Sequence, residues 1–197
     1  MKLKKIISIK TIGTLLLIII FLTSCQNKER KSVKENSNSS IPISKQEPPS
    51  EDIHTATFLG NLKVVKQHIT YGTDLNIKDQ YGSTPLIIAI TFGKTEVATA
   101  LIQAGVDLHI KNNEGSTPLH VAAFLCRTEI VKSLLENGAD KNLTNNYGST
   151  VIESVSTPFS DAKVIYDQLS KDLGPLGFKL NYEHLEITRP IIAKMLE

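Results

Sequence analysis

Seven side chains in this sequence are thiols or imidazoles, groups suited to nucleophilic attack or to binding a transition metal: Cys25, Cys126, His54, His68, His109, His120 and His184. Their spacing speaks against both uses. No two histidines stand four residues apart, as a helix would need to hold a metal between them. Two cysteines are too few for a thiolate zinc module or a disulfide framework. Gly-Ser-Thr recurs at Gly82, Gly115 and Gly148. No glycine follows the serine by two residues, so the triplet is not a nucleophile elbow. The pattern therefore predicts no catalytic residue, no metal ligand and no cofactor-binding residue. Cys126 keeps two readings, a reactive thiol or a small half-buried filler, and filling is the commoner use of such a cysteine.

Charge narrows the partners. The 197 residues carry 22 Lys+Arg and 20 Asp+Glu, unevenly placed. Residues 1–50 hold nine basic and three acidic side chains, so residues 51–197 are mildly acidic, with 13 basic and 17 acidic side chains. An acidic domain lacks the footprint of a phosphate-backbone binder, so nucleic acid is not expected as a partner. The absence of Trp and the eleven other aromatics argue against an aromatic-rich barrel holding a small-molecule substrate.

The amino-terminal segment reads as an address. Lys2, Lys4, Lys5 and Lys10 precede an apolar stretch, Thr11–Leu22, which ends in Leu22-Thr23-Ser24-Cys25. The stretch has the length of a signal-peptide core and is short for a bilayer span. The quartet resembles the lipobox of bacterial lipoproteins. That resemblance implies cleavage before Cys25, a diacylglyceryl group on its thiol and acylation of the new amino terminus. Two or three acyl chains anchor stably where one does not. The other reading is an uncleaved signal anchor with an incidental cysteine. Residue 26 is Gln. In envelopes with two membranes an Asp there resembles an inner-membrane retention signal, so the expected location is the outer membrane, facing the periplasm. Residues 1–24 are thus expected to be a signal peptide. Residues 25–50, rich in Lys, Glu, Asn, Ser and Pro, are expected to be the lipidated cysteine and a disordered tether. A flexible coil of that length reaches roughly 25–30 Å.

Beyond residue 50 the chain repeats every 33 residues. Gly82, Gly115 and Gly148 fall on the period, as do Gly72, Gly105 and Gly138, and Asp74, Asp107 and Asp140. The units Asp79-Gln-Tyr-Gly-Ser-Thr-Pro-Leu-Ile, Asn112-Asn-Glu-Gly-Ser-Thr-Pro-Leu-His and Asn145-Asn-Tyr-Gly-Ser-Thr-Val-Ile-Glu superpose. The period and the Thr-Pro-Leu-His and Gly-Ala-Asp motifs resemble the ankyrin repeat. The implied fold is an all-α solenoid of helix-turn-helix units with hairpin loops. About four repeats are expected over residues 51–197 (51–78, 79–111, 112–144 and 145–178), with a carboxy-terminal cap over 179–197.

Each repeated residue has a mechanical reason. Thr84 and Thr117 suit a helix N-cap, with Pro85 and Pro118 at the first helical position. Thr95 and Thr128 are expected to cap a second helix, with Glu96 and Glu129 near its positive end. Val97, Leu101 and Ile102, then Ile130, Leu134 and Leu135, share one face at helical spacing. No unit buries that face alone, so neighbours must stack. Cys126 stands where Gly60 and Gly93 make the turn between helices. In the last unit Pro158 stops the first helix, Lys163–Ser170 is expected to be the second, and a helix near Thr188–Leu196 covers the open end.

What remains for function is a surface. The ankyrin resemblance implies a protein partner on the concave side, met by hairpin tips and first-helix ends. The tips offer Gln80, Tyr81, Asn113, Glu114, Asn146 and Tyr147. The helix ends offer Phe92, Phe124 and Leu125, either as an apolar groove floor or packed beneath the hairpins. A lipid-anchored, non-catalytic protein that docks, inhibits or protects an envelope protein is the leading expectation. An immunity-type protein neutralising a toxic effector is the narrower alternative. An enzyme on the same scaffold comes last, because the repeats leave no spare domain.

Overall fold

Three threonines start the inner helices. In the computed structural model, which describes residues 47–197, Thr84, Thr117 and Thr150 are extended and accept the amide of the third residue ahead (Ile87, His120 and Glu153), each at 3.4 Å. The helices that follow are α3 (Pro85–Thr91), α5 (Pro118–Phe124) and α7 (Val151–Ser156). The unit before them contributes α1 (Ile53–Leu59), capped by Asp52. The expected signal peptide 1–24, Cys25 and all but the last residues of the expected tether lie outside the described residues.

A left-handed residue ends each of the first three inner helices and turns the chain back: Gly60 at φ 76°, Gly93 at φ 65° and Cys126 at φ 54°. A side chain in that region costs roughly 1–2 kcal/mol. The outer helices α2 (Leu62–Tyr71), α4 (Thr95–Gln103) and α6 (Thr128–Glu136) then run antiparallel to their partners. Lys94 and Arg127 hold the N-cap positions of α4 and α6 without a side-chain cap bond. Thr95 and Thr128, expected as caps, are the first helical residues, because the tight turn places the helix start one residue earlier.

The inner helices α1, α3, α5 and α7 stack in one layer and α2, α4 and α6 in the other. The core lies between the layers. Leu86, Ile90, Leu101, Leu119, Ile130 and Leu134 are among its fully buried members. His68 occupies the slot of Leu101 and Leu134 in the first unit and is also buried. Its ring satisfies both nitrogens, with Nδ1 bonded to the Thr73 hydroxyl at 2.9 Å and Nε2 donating to the Glu51 carbonyl at 2.8 Å.

The fourth unit departs from the expected order. Thr157 is extended ahead of Pro158, which ends α7 and sends the chain out of the stack. Helix α8 (Phe159–Leu173) and a 3-10 turn (Gly174–Leu176) follow, and α9 (Tyr182–Leu196) returns. It is α9, and not Lys163–Ser170, that packs antiparallel on α7 and beside α6. Lys141 fastens its far end, donating to the Leu196 carbonyl at 2.6 Å. The outer helix of the fourth repeat therefore lies in the segment expected to be a separate cap. Residues 157–181 are an insertion between the two helices of that repeat. Both α8 and α9 carry apolar residues at helical spacing, so periodicity could not rank them. Asn181 decides where α9 begins, accepting the His184 amide at 3.0 Å.

The insertion folds across the ends of the inner helices. Tyr166 stacks on Phe124 with ring centroids 4.5 Å apart, and its hydroxyl donates to the Phe124 carbonyl. Phe178 meets Phe92 edge-on at 6.3 Å, and Phe92 meets Phe58 at 4.7 Å. Arg189 of α9, 2% exposed, is the bolt. It donates to the Tyr166 hydroxyl at 2.9 Å and to the Ser154 and Thr157 carbonyls at 3.3 and 3.0 Å.

Candidate functional site

The hairpin tips are built by one carboxylate or amide per repeat. Asp79 accepts from the amides of Tyr81 and Ser83, both at 2.8 Å. Asn112 does the same for Glu114 and Ser116, and Asn145 for Tyr147 and Ser149. This side-chain turn closes the tip, and a glycine at positive φ completes it. Glycine is needed at Gly115 for a second reason. A Cβ there would sit 2.6 Å from the Asn146 backbone nitrogen.

Successive tips interlock. The Asn146 amide donates to the Glu114 carbonyl at 3.0 Å, and its side chain donates to the Asn113 carbonyl at 2.9 Å. Asn113 in turn presses on Gly82. Asn113 and Asn146 thus hold tip to tip. Gln80, Tyr81, Glu114 and Tyr147 are left exposed, with Tyr81 69% and Tyr147 75% accessible. They make a row, Tyr81–Glu114–Tyr147, that recurs once per repeat. Below the tips a second ladder ties the units, as the Asp107 amide donates to the Asn76 side chain at 2.9 Å and the Asp140 amide to His109 Nε2 at 3.2 Å.

The apolar helix ends do not form an open groove floor. Leu125 is 4% exposed. Phe124 lies under Tyr166 and Arg189, and Phe92 lies between Phe58 and Phe178. The insertion of the fourth repeat covers Phe92 and Phe124, and Leu125 is buried, so of the two readings, an open groove floor or packed helix ends, the ends are packed, beneath the insertion and not the hairpins. Tyr166, Phe178 and Arg189, which do the covering, went unnoticed in the sequence. The available signal was a lone arginine inside the otherwise apolar run Thr188–Ile192.

His54, His120 and Cys126 are spent on structure. His120 Nδ1 bonds the Thr117 hydroxyl at 2.8 Å, and Nε2 donates to the Ser149 carbonyl at 3.2 Å, tying the third repeat to the fourth. Burial lowers its pKa. His54 Nε2 donates to the Ile77 carbonyl at 3.0 Å. Cys126 is 3% exposed. Burial pushes its pKa up to about 11, against the opposing pull of Arg189 and Arg127. A thiol held protonated at neutral pH is a filler and not a nucleophile. Burial likewise raises the Tyr166 pKa to about 12, opposed by Arg189.

The described chain is thus a helical solenoid, two helices and a projecting tip per unit, with Tyr81 and Tyr147 exposed on the stacked tips. Residues 53–145 match the family model for ankyrin repeats (3 copies), and the all-helical stack is an ankyrin-repeat solenoid. No curated protein matches the chain. Ankyrin repeats are protein-binding scaffolds, typically without catalysis, and extended surfaces of this kind are what solenoids present to partners.

Proposed function

We propose that this is a lipid-anchored protein of a bacterial envelope, probed from its tether by a protein partner that grips the tip row of the ankyrin stack. The observation that carries the binding reading is the row Tyr81–Glu114–Tyr147. Two tyrosines more than two-thirds exposed flank a carboxylate on a scaffold whose turns and interlocking asparagines hold it rigid. Rigid, exposed aromatics are the residue type that anchors interfaces. The anchoring reading rests on Leu22-Thr-Ser-Cys25 after a basic and an apolar segment. The protein performs no catalysis of its own. Its role is to dock, inhibit or protect the partner.

The test of the binding face is photo-cross-linking in intact cells. A benzophenone side chain in place of Tyr81, Glu114 or Tyr147 should give one common adduct. The same group at Lys66 or Lys132, on the outer helices, should give none. Adducts from the lysine positions alone would put the partner on the helical back. The anchor is tested separately by intact mass. A protein beginning at Cys25 and carrying diacylglycerol supports it, and an uncleaved, unmodified amino terminus refutes it.

A further inference from the structure

The outer helices of the first three repeats show water charged or polar side chains: Lys63, Lys66 and Gln67 on α2, Glu96 and Gln103 on α4, Glu129, Lys132 and Glu136 on α6. The corresponding face of α9 also exposes Glu183, Glu186 and Lys194, but sets two large apolar side chains among them. Ile187 is 60% and Ile191 51% exposed, one turn apart, with exposed Pro190 beside them. Exposed Glu183 lies one turn before Ile187, and exposed Lys194 three residues after Ile191. Neither charge forms an ion pair among the described residues. The line Glu183, Ile187, Ile191, Lys194 therefore reads acidic, apolar, apolar, basic along the helix, with exposed His184, Glu186 and Glu197 on its flanks.

That order is self-complementary. If a second α9 lies antiparallel across it, with a two-fold axis between Ile187 and Ile191, then Ile187 meets the partner's Ile191 and Glu183 falls within one residue of the partner's Lys194. Both contacts occur twice, as a closed two-fold interface requires. A parallel arrangement would instead put Glu183 beside the partner's Glu183. We infer that this chain pairs with a second copy of itself through the Glu183–Lys194 face of α9. The inference is independent of the tip row, which lies at the hairpin side of the repeats. One helix face buries less than the roughly 1,200 Å² of a standard interface, so the pair is reversible and favoured at high local concentration.

The helix supplies a clean test. Glu183 and Lys194 of one copy are about 16 Å apart along the axis, too far for a zero-length carbodiimide link. An amide between the two must therefore join two copies. Full chain, half of it labelled with heavy nitrogen, is treated with carbodiimide in non-ionic detergent at a concentration on the order of 100 µM, where a weak interface is populated. The expected result is a Glu183–Lys194 peptide pair of mixed isotope. Ile187→Glu or Ile191→Glu should reduce its yield by about tenfold or more with the circular dichroism unchanged. Charge swapping provides a second reading of the pairing itself, by sedimentation. Glu183→Lys should weaken the dimer, and Glu183→Lys with Lys194→Glu should restore it. Absence of the mixed pair, or a sedimentation dimer indifferent to all four substitutions, overturns the inference. So does the capture of a foreign protein by α9 in place of a second copy. Tyr81→Ala should leave the cross-link intact, so failure here and failure of the tip reading are told apart.

Discussion

The first three repeats and the fourth solve the same packing problem with different chain. In repeats one to three a left-handed turn returns the chain at once, and the outer helix covers the inner one: Gly60, Gly93 and Cys126 are each followed within two residues by a helix start. In the fourth, 25 residues intervene, and only then does α9 close on α7. The detour has a structural use. Its Tyr166 and Phe178 cover the phenylalanines at the inner-helix ends, and Arg189 locks the cover with bonds to both sides of the insertion. Local repetition builds the middle of the stack, and a non-local clasp builds its end.

The comparison is broken most severely through the core. Leu134 of α6 and Ile192 of α9 are both fully buried. Leu134→Ala and Ile192→Ala should each cost roughly 2–5 kcal/mol in urea unfolding. If α9 is the fourth outer helix, both substitutions shift one common transition. A separate low-denaturant phase for Ile192→Ala would make α9 a detachable flap.

Next in size is the clasp. Arg189→Met keeps the volume but leaves the Ser154 and Thr157 carbonyls and the Tyr166 hydroxyl without their donor. The loss should be about 1.5–3 kcal/mol. Hydrogen exchange should quicken in α8 while α3 and α5 stay protected. Uniform quickening would show that the insertion folds with the repeats and not as a clasp upon them.

Alkaline pH loosens the same region. The ordinary pKa values of 9.0 for Cys126 and 10.0 for Tyr166 rise to about 11 and about 12 through burial. The neutral form is favoured in the folded chain, so the unfolded chain loses its protons first as pH rises. Stability is fully present below pH 9 and falls as pH climbs through 11 and 12. Tyr166→Phe should flatten the upper part of that fall in thermal melts. An unchanged profile would separate Tyr166 from the effect. Ellman's reagent should reach Cys126 only as fast as the protein opens, and immediate labelling would contradict its burial.

The smallest contrast sharpens the tips. Gly115 and Gly148 share a left-handed backbone, φ 73° and 76°. A Cβ at Gly115 meets Asn146, whereas one at Gly148 meets nothing within 4 Å. Both alanine substitutions should cost about 1 kcal/mol in backbone strain. Gly115→Ala should cost about 1 kcal/mol or more beyond Gly148→Ala, because tip stacking must shift. Equal melting points would mean that the tips do not lean on one another.

The reach of the sequence follows the range of the interactions. Inner-helix starts, turn glycines, the core of α4 and α6 and the exposure of Tyr81 and Tyr147 are set within a few residues, and a period of 33 makes each visible three times over. Cys126 could be placed in its turn for the same reason. The partner of α7 could not be chosen from pattern, because α8 and α9 are both amphipathic and nothing local ranks them. Nor could the fate of Phe92 and Phe124, which depends on Phe178 and Tyr166, 86 and 42 residues further along. The sequence by itself determined the repeat, its inner-helix caps and its tips, since these are closed by bonds between near neighbours. Only the tertiary structure decided which helix completes the stack and which apolar ends stay covered. Those outcomes turn on one buried guanidinium finding a hydroxyl 23 residues away and carbonyls 32 and 35 residues away, contacts that no local spacing encodes.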